Sequence, residues 1–408
     1  MSALKMTSQE RQAVLGLSAI LGLRMFGLFM VLPVFSLYAH QLQGATPTLI
    51  GIAMGIYGLS QALFQIPLGA LSDRIGRKPI IVLGLIIFSL GSIIASFAHS
   101  ILFMIIGRAL QGMGAVGSTL MAMMADLTRE NQRTKAMAIA GITIGFSFSL
   151  AMLAGPLLIK WMSVNALFGL AAFLGFMCIL LLKTYVPTPA QSSGQEATLT
   201  EYHSFLSLLR HPTLTNLNIG IAILHIIFTA SFIVIPINLQ QTNHLSGNQQ
   251  WEVYFPSLLT AFILSLICIN IAERKQLIKH FFLIGIASIL SSEFILYLMP
   301  DEILITMLGI SLFFTGFSLL EAFLPSLVSR HAPIASKGSA LGIYSCSQFL
   351  GIFVGGVLGG WLYGQFGNAS VYLFCIFLAI IWFVISLQSP LKNPDFIRLK
   401  EQLQSNKI

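Results

Sequence analysis

The chain has 408 residues, of which 56% are hydrophobic and only 9% charged, with a mean hydropathy of +0.86. Soluble domains carry about 25% charged residues, so this composition excludes a soluble globular or receptor domain and makes lipid the expected solvent. A formal charge of +8 does not point to nucleic acid, because the basic residues sit in short segments between apolar stretches, with no basic face or aromatic platform.

Six stretches long enough to span a bilayer run at 13–38, 48–71, 79–98, 101–124, 136–159 and 165–185. The first is too long for a cleaved signal peptide and is followed by no small-residue cleavage site, so it is expected to stay as a signal anchor. A polar segment at 186–212, rich in Pro, Ser, Gln and Thr, cannot be buried in hydrocarbon and reads as a cytoplasmic linker. Six more stretches follow at 214–239, 252–272, 280–299, 302–326, 339–363 and 368–388. The expected fold is an all-α membrane protein of twelve transmembrane helices in two pseudo-symmetric six-helix bundles, 1–185 and 213–388, with a cytoplasmic tail at 389–408.

Lysine and arginine set the orientation. With Met1 in the cytoplasm, Lys5, Arg11, Arg74, Arg77, Lys78, Arg129, Arg133, Lys135 and the basic residues of the later inward loops and tail face inward, and Lys160 alone faces outward. Both termini are therefore expected on the cytoplasmic side. The cysteines Cys178, Cys268, Cys346 and Cys375 lie in apolar runs without metal-like spacing, so they read as small buried hydrophobes, and neither a metal nor a cofactor is implied.

Internal repetition is weak but present. Gly55-Ile56-Tyr57-Gly58-Leu59-Ser60-Gln61 in the second stretch echoes Gly342-Ile343-Tyr344-Ser345-Cys346-Ser347-Gln348 in the eleventh, and the basic segment 129–135 echoes 330–337. Repeats of this kind are how transporters are built.

The loop after the second stretch reads Gly69-Ala70-Leu71-Ser72-Asp73-Arg74-Ile75-Gly76-Arg77-Lys78-Pro79. Glycines at 69 and 76 permit close packing and a tight turn, and Asp73 can sit at the positive N-terminus of a neighbouring helix. Arg74 and Lys78 also obey the positive-inside rule, which accounts for neither Asp73 nor the glycines. In the fourth stretch Arg108-Ala109-Leu110-Gln111-Gly112-Met113-Gly114 places an arginine about 10 Å into the membrane, at about 1.5 Å of rise per residue. Such a residue either serves function or hydrogen-bonds backbone carbonyls and pins helices. The fifth stretch holds Gly145 and Gly155-Pro156, which shape the helix and its packing.

These motifs resemble those of the major facilitator superfamily, in particular its twelve-helix drug:proton antiporter branch and, most closely, YajR-type transporters. Leu23 to Val34, Asp126 to Glu130 and Glu321 to Gly364 carry the closer likeness. The resemblance implies a conformational latch of Gly69, Asp73, Arg74, Gly76, Arg77 and Asp126, with Asp73 against the helix starting near Ser339 and Arg77 paired to Asp126. It also implies antiport through the Gly145, Gly155, Pro156 helix, although Ala151, Leu158 and Ile159 depart from the family's glycines there and leave a mere packing kink open. YajR-type proteins carry a soluble domain after the twelfth helix, which is not expected here, and Glu273-Arg274-Lys275-Gln276 is only a remnant of the signature loop.

Ionisable residues inside the apolar stretches are candidates for proton coupling. Glu321 is the first choice, being a carboxylate one turn before Pro325 on a helix that this fold turns toward its cavity. Arg24 and Arg108 cannot carry the proton, but an arginine can tune a carboxylate or bind an anion. His225 titrates near neutrality and shares a stripe with Asn218, Thr229 and Phe232, where a satisfied interior histidine is the alternative. Glu293 is read as structural. Tyr57, Gln61, Gln65, Asn218, Tyr344 and Gln348 place polar groups on single faces of apolar helices, suited either to a cavity for amphipathic ligands or to interhelical hydrogen bonding.

The expected function is secondary active transport by alternating access: proton-coupled antiport that exports a small amphipathic solute, a drug-like compound or a metabolite. A proton-coupled importer or a siderophore or metabolite exporter of the same fold is the alternative. No Walker loop, HExxH or clustered His and Asp appears, so an enzyme is not expected. The expected partners are a small-molecule substrate, protons and the lipid bilayer, without nucleic acid, and the expected setting is a monomer in a bacterial inner membrane.

Overall fold

The computed structural model describes residues 6–188, 207–333 and 336–388. Most of the linker expected at 186–212 and the whole tail at 389–408 lie outside the described residues.

Twelve helices are long and apolar enough to cross a membrane. They are α1 (Ser8–Ala39), α2 (Pro47–Ile75), α3 (Arg77–Ser96), α4 (Ile101–Asp126), α5 (Glu130–Leu158) and α6 (Val164–Thr184), followed by α7 (Pro212–Gln241), α8 (Trp251–Arg274), α9 (Ile278–Leu298), α10 (Ile303–His331), α11 (Lys337–Phe366) and α12 (Asn368–Gln388). Among the described residues no strand forms, only an isolated bridge between Gln43 and Ser100 in the α1–α2 and α3–α4 connections.

Several helices outrun the apolar stretches that mark them. α1 starts at Ser8 because Thr7 and Glu10 form a capping box, in which Thr7 N–H donates to the Glu10 carboxylate at 2.7 Å and Glu10 N–H donates to Thr7 Oγ1 at 3.2 Å. α5 starts at Glu130 without a side-chain cap: hydropathy marks hydrocarbon, while helices continue through the polar interface. Side chains of Thr46, Ser100 and Ser163 cap α2, α4 and α6 by a single bond each, accepting from the backbone N–H three residues on.

Two helices are interrupted. In α1, Pro33 lacks an N–H, the chain turns at Met30 and Val31, and Val34 N–H donates to the Val31 carbonyl at 3.1 Å, one residue closer than an α-helical bond. In α4 the break falls at 114–116, where Val116 N–H donates to the Gly114 carbonyl at 2.9 Å. Neither break is evident in the hydropathy of the first or fourth stretch.

Helices touch where glycines face one another, as expected in a solvent that gives apolar side chains no drive to associate. A Cβ at Gly91 of α3 would lie 2.5 Å from the Gln111 backbone nitrogen of α4, and one at Gly316 of α10 would lie 2.5 Å from the Gly285 carbonyl of α9. Outward faces are strongly apolar: Phe97, Ile142, Trp161 and Leu304 are each at least 73% exposed, an arrangement that suits lipid and not water.

The chain divides into two compact units. The first comprises residues 1–196 with 228–255 and 352–371, and the second comprises 197–227, 256–351 and 372–408. Chain order and compactness thus differ, since the ends of α7 and α11 pack with the first six helices. Within the first unit, α2 meets α11 backbone to backbone, and a Cβ at Gly51 would collide with the Gly356 carbonyl.

Candidate functional site

The turn between α2 and α3 is made by Gly76, whose φ of +107° is strained for any residue with a Cβ. That turn brings Arg77 back over the last turn of α2. Its guanidinium lies 2.5 Å from Asp73 and 3.0 Å from Asp126 at the end of α4, and it donates to Ser72 Oγ at 2.7 Å. Ser72 in turn donates to the Gly69 carbonyl at 2.6 Å, so Gly69, Asp73, Gly76, Arg77 and Asp126 form one connected group. Arg74 is exposed beside it.

A second tie lies nearby and was not legible as a pair. Glu10 on α1 accepts from the backbone N–H, Nε and Nη2 of Arg129, each at 2.9 Å. This carboxylate keeps the Arg129 guanidinium, already a strong base, above its ordinary pKa. The two residues lie 119 positions apart in the chain, and nothing in the sequence pairs them.

Arg24 and Arg108, alike in sequence as buried arginines, are treated differently by the fold. Arg108 of α4 donates to the Ala53 and Met54 carbonyls of α2 at 3.3 and 3.4 Å and to Gln111 Oε1 at 2.9 Å, and sits 4.4 Å from the Tyr57 ring centroid. Gln111 then donates to Ser92 Oγ of α3 at 2.8 Å, which joins three helices. Arg24 of α1 donates once, from Nη2 to Gln61 Oε1 of α2 at 3.1 Å, with the Phe88 ring centroid at 5.7 Å. Its Nε and Nη1 are buried without a protein partner among the described residues.

Tyr57, Gln61 and Gln65 are buried, at 2%, 2% and 5% exposure, and Gln61 bonds across to Arg24 of α1. A Cβ at Gly112 would collide with the Tyr57 carbonyl, which shows how tightly α4 presses on α2.

In the second unit three candidates from three helices converge. Gln348 of α11 has Nε2 3.0 Å from His225 Nε2 of α7 and 3.4 Å from Glu321 Oε1 of α10, while His225 Nε2 and Glu321 Oε1 are 3.5 Å apart. His225 Nδ1 lies 3.2 Å from the Ile221 carbonyl, and in the tautomer that donates this bond Nε2 is free to accept from the Gln348 amide. Phe317, one turn before Glu321, stands 5.7 Å from the imidazole, ring centroid to ring centroid. Tyr344 Oη and Asn218 Oδ1, on the helices that supply Gln348 and His225, are buried without protein partners among the described residues. Glu321 keeps 31% of its side chain accessible, whereas Glu293 on α9 is fully buried.

Gly155 of α5 packs on the break in α1, where a Cβ would collide with the Met30 carbonyl, and Pro156 is buried beside it. Gly145, in contrast, is exposed, and a Cβ there would meet nothing within 4 Å.

A family model for the Major Facilitator Superfamily matches residues 17–356. The chain is 43% identical over 397 residues to the inner membrane transport protein YajR of Escherichia coli strain K12, covering 97% of this chain and 87% of that protein. It is 26% identical over 352 residues to the multidrug resistance protein MdtH of Baumannia cicadellinicola, covering 84% of this chain and 82% of that protein. Among solved structures, a bacterial homologue of the human lysosomal transporter Spinster, inward-facing and occupied, superposes with a TM-score of 0.76 at 14% identity, covering 94% of this chain and 97% of its own. With twelve membrane-crossing helices, the matching family model and the close relative in agreement, the chain belongs to the Major Facilitator Superfamily of membrane transporters.

Proposed function

We propose that this chain is a proton-driven antiporter of a bacterial inner membrane that exports a small amphipathic solute, with both termini in the cytoplasm. The observation that carries the reading is the cluster of His225, Glu321 and Gln348, in which two protonatable groups share one amide across three helices. A neutral imidazole accepts from Gln348, whereas an imidazolium presents an N–H at the same nitrogen and cannot. Protonation therefore breaks one bond of the cluster and turns the imidazole toward Glu321, 3.5 Å away. A group whose bonding changes with its proton supplies the differential energy that coupling requires.

Glu321, the more accessible of the two protonatable groups, takes up the proton and shares it with His225 3.5 Å away, and Tyr344, Gln348 and Asn218 contribute to the face that the solute meets. The positive-inside distribution of Lys and Arg supports the orientation. The names of the relatives YajR and MdtH support an inner membrane setting and export. The group of Asp73, Arg77 and Asp126 serves as the latch, holding the ends of α2, α3 and α4 in one of the transporter's states.

The test is transport by the purified protein in vesicles with an imposed pH gradient, screened across amphipathic ligands. Uphill accumulation should follow the gradient in the antiport sense and vanish in Glu321→Gln, with counterflow exchange retained. Accumulation in the same direction as proton flow would make the protein an importer, and full accumulation by Glu321→Gln would remove Glu321 from the coupling site.

A further inference from the structure

Arg24 is 1% exposed, yet among the described residues only one of its guanidinium nitrogens has a protein acceptor. The elements around it are α1 itself, Gln61 of α2, Phe88 of α3, α5, whose Ser147 Oγ would lie 2.7 Å from a Cβ at Gly22 and whose sole acid, Glu130, is its first residue, and α6, where Cys178 Sγ contacts the Ile20 carbonyl one turn before Arg24. None of these brings it an acid. α3 and α6 contain no Asp or Glu. The sole acid of α1, Glu10, lies about 21 Å away along the helix at about 1.5 Å per residue and is bonded to Arg129. The sole acid of α2, Asp73, is paired with Arg77 at the far end of that helix.

A buried guanidinium without a countercharge is strongly unfavourable, and an arginine presents several N–H groups suited to the oxygens of a carboxylate or phosphate. Arg108, in the same unit and also buried, shows what a fully partnered interior arginine looks like here: each of its three side-chain nitrogens has a protein acceptor. We infer that Arg24 and Gln61 form a binding site for an anionic group from outside the chain, either the carboxylate, sulfonate or phosphate of the transported solute or a free inorganic anion. Gln61 Oε1 accepts one Nη2 hydrogen, which leaves the other Nη2 hydrogen, together with Nε–H or Nη1–H, as an edge for the anion. Naming the solute as an acid rests on the transport reading; the anion site itself does not.

The experiment follows thermal unfolding of the purified full-length protein against 1-naphthoate, its neutral methyl ester, chloride and inorganic phosphate. Wild type should be stabilised saturably by an anion and not by the ester. Arg24→Met should lose at least tenfold in apparent affinity, and Arg24→Lys should keep part of it. Gln61→Glu places an internal carboxylate on Arg24, so it should raise the resting melting temperature and abolish the anion response. Glu321→Gln should retain the full response, which separates failure of this site from failure of the coupling site. A response to naphthoate assigns the site to an acidic solute, and a response confined to chloride or phosphate assigns it to a free anion. No saturable response to any anion, or an undiminished response in Arg24→Met, overturns the proposal; if Arg24→Met does not fold, an undiminished response in Gln61→Glu does so.

Discussion

The charged group at the α2–α3 turn and the polar cluster in the second unit use the same chemistry in opposite solvents. At the turn, Asp73 and Asp126 are 52% and 34% exposed, so water competes for both ion pairs that Arg77 makes. In the cluster, His225 is 5% exposed and packed against Phe317, so a hydrogen bond lost by its imidazole has no comparable substitute, although Glu321 keeps 31% of its side chain accessible. Close spacing in sequence accompanies the first: Arg77 follows Asp73 by one helical turn. Wide spacing accompanies the second, whose members come from α7, α10 and α11. Ion pairs that are easiest to read thus contribute least to stability, and polar groups that look isolated along the chain carry the larger energetic stake.

Substitutions sharpen this contrast. The largest effect is expected for Glu321→Gln, which should abolish gradient-driven accumulation while leaving the melting temperature nearly unchanged, because the side chain is only partly enclosed and the amide keeps a neutral acceptor for Gln348. Gly155→Val should come next, since its side chain has no room beside the Met30 carbonyl; overpacking of this kind costs about 1–3 kcal/mol and should lower the unfolding midpoint. Arg108→Met removes the bonds to α2 and to Gln111, and loss of hydrogen bonds from a charged donor suggests about 1–3 kcal/mol, read by denaturant titration in detergent. The smallest change is expected for Asp126→Asn: about 0–1 kcal/mol at low salt, disappearing toward 1 M salt, where the Debye length falls to about 3 Å. A large, salt-insensitive loss from Asp126→Asn would break the comparison, because it would mean that the exposed group is worth as much as the buried one.

Much of the site was legible residue by residue. The signature turn announced Gly76 and Arg77, the family resemblance added Asp126, and the interior arginines, His225 and Glu321 stood out because ionisable residues are rare in apolar stretches. Their companions were not legible. Nothing along the chain pairs Glu10 with Arg129, and nothing distinguishes Arg24 from Arg108, because each pairing depends on how far a helix is rotated and how deep it sits. Gly155 was visible as a packing residue, but its target, a carbonyl exposed by the break before Pro33, exists only once α1 is bent.

Hydropathy and charge are one-dimensional properties, so the sequence by itself determined the twelve spans and the signature turn, both local consequences of what lipid and interface accept. Which polar side chains meet inside was decided by tertiary structure alone. Glycine contacts such as Gly91 on α4 and Gly316 on α9 set the distance and rotation of neighbouring helices. Only after that rotation is set does Arg108 reach carbonyls of α2, does Arg24 fall where no acid can follow, and do His225, Glu321 and Gln348 come within hydrogen-bonding range.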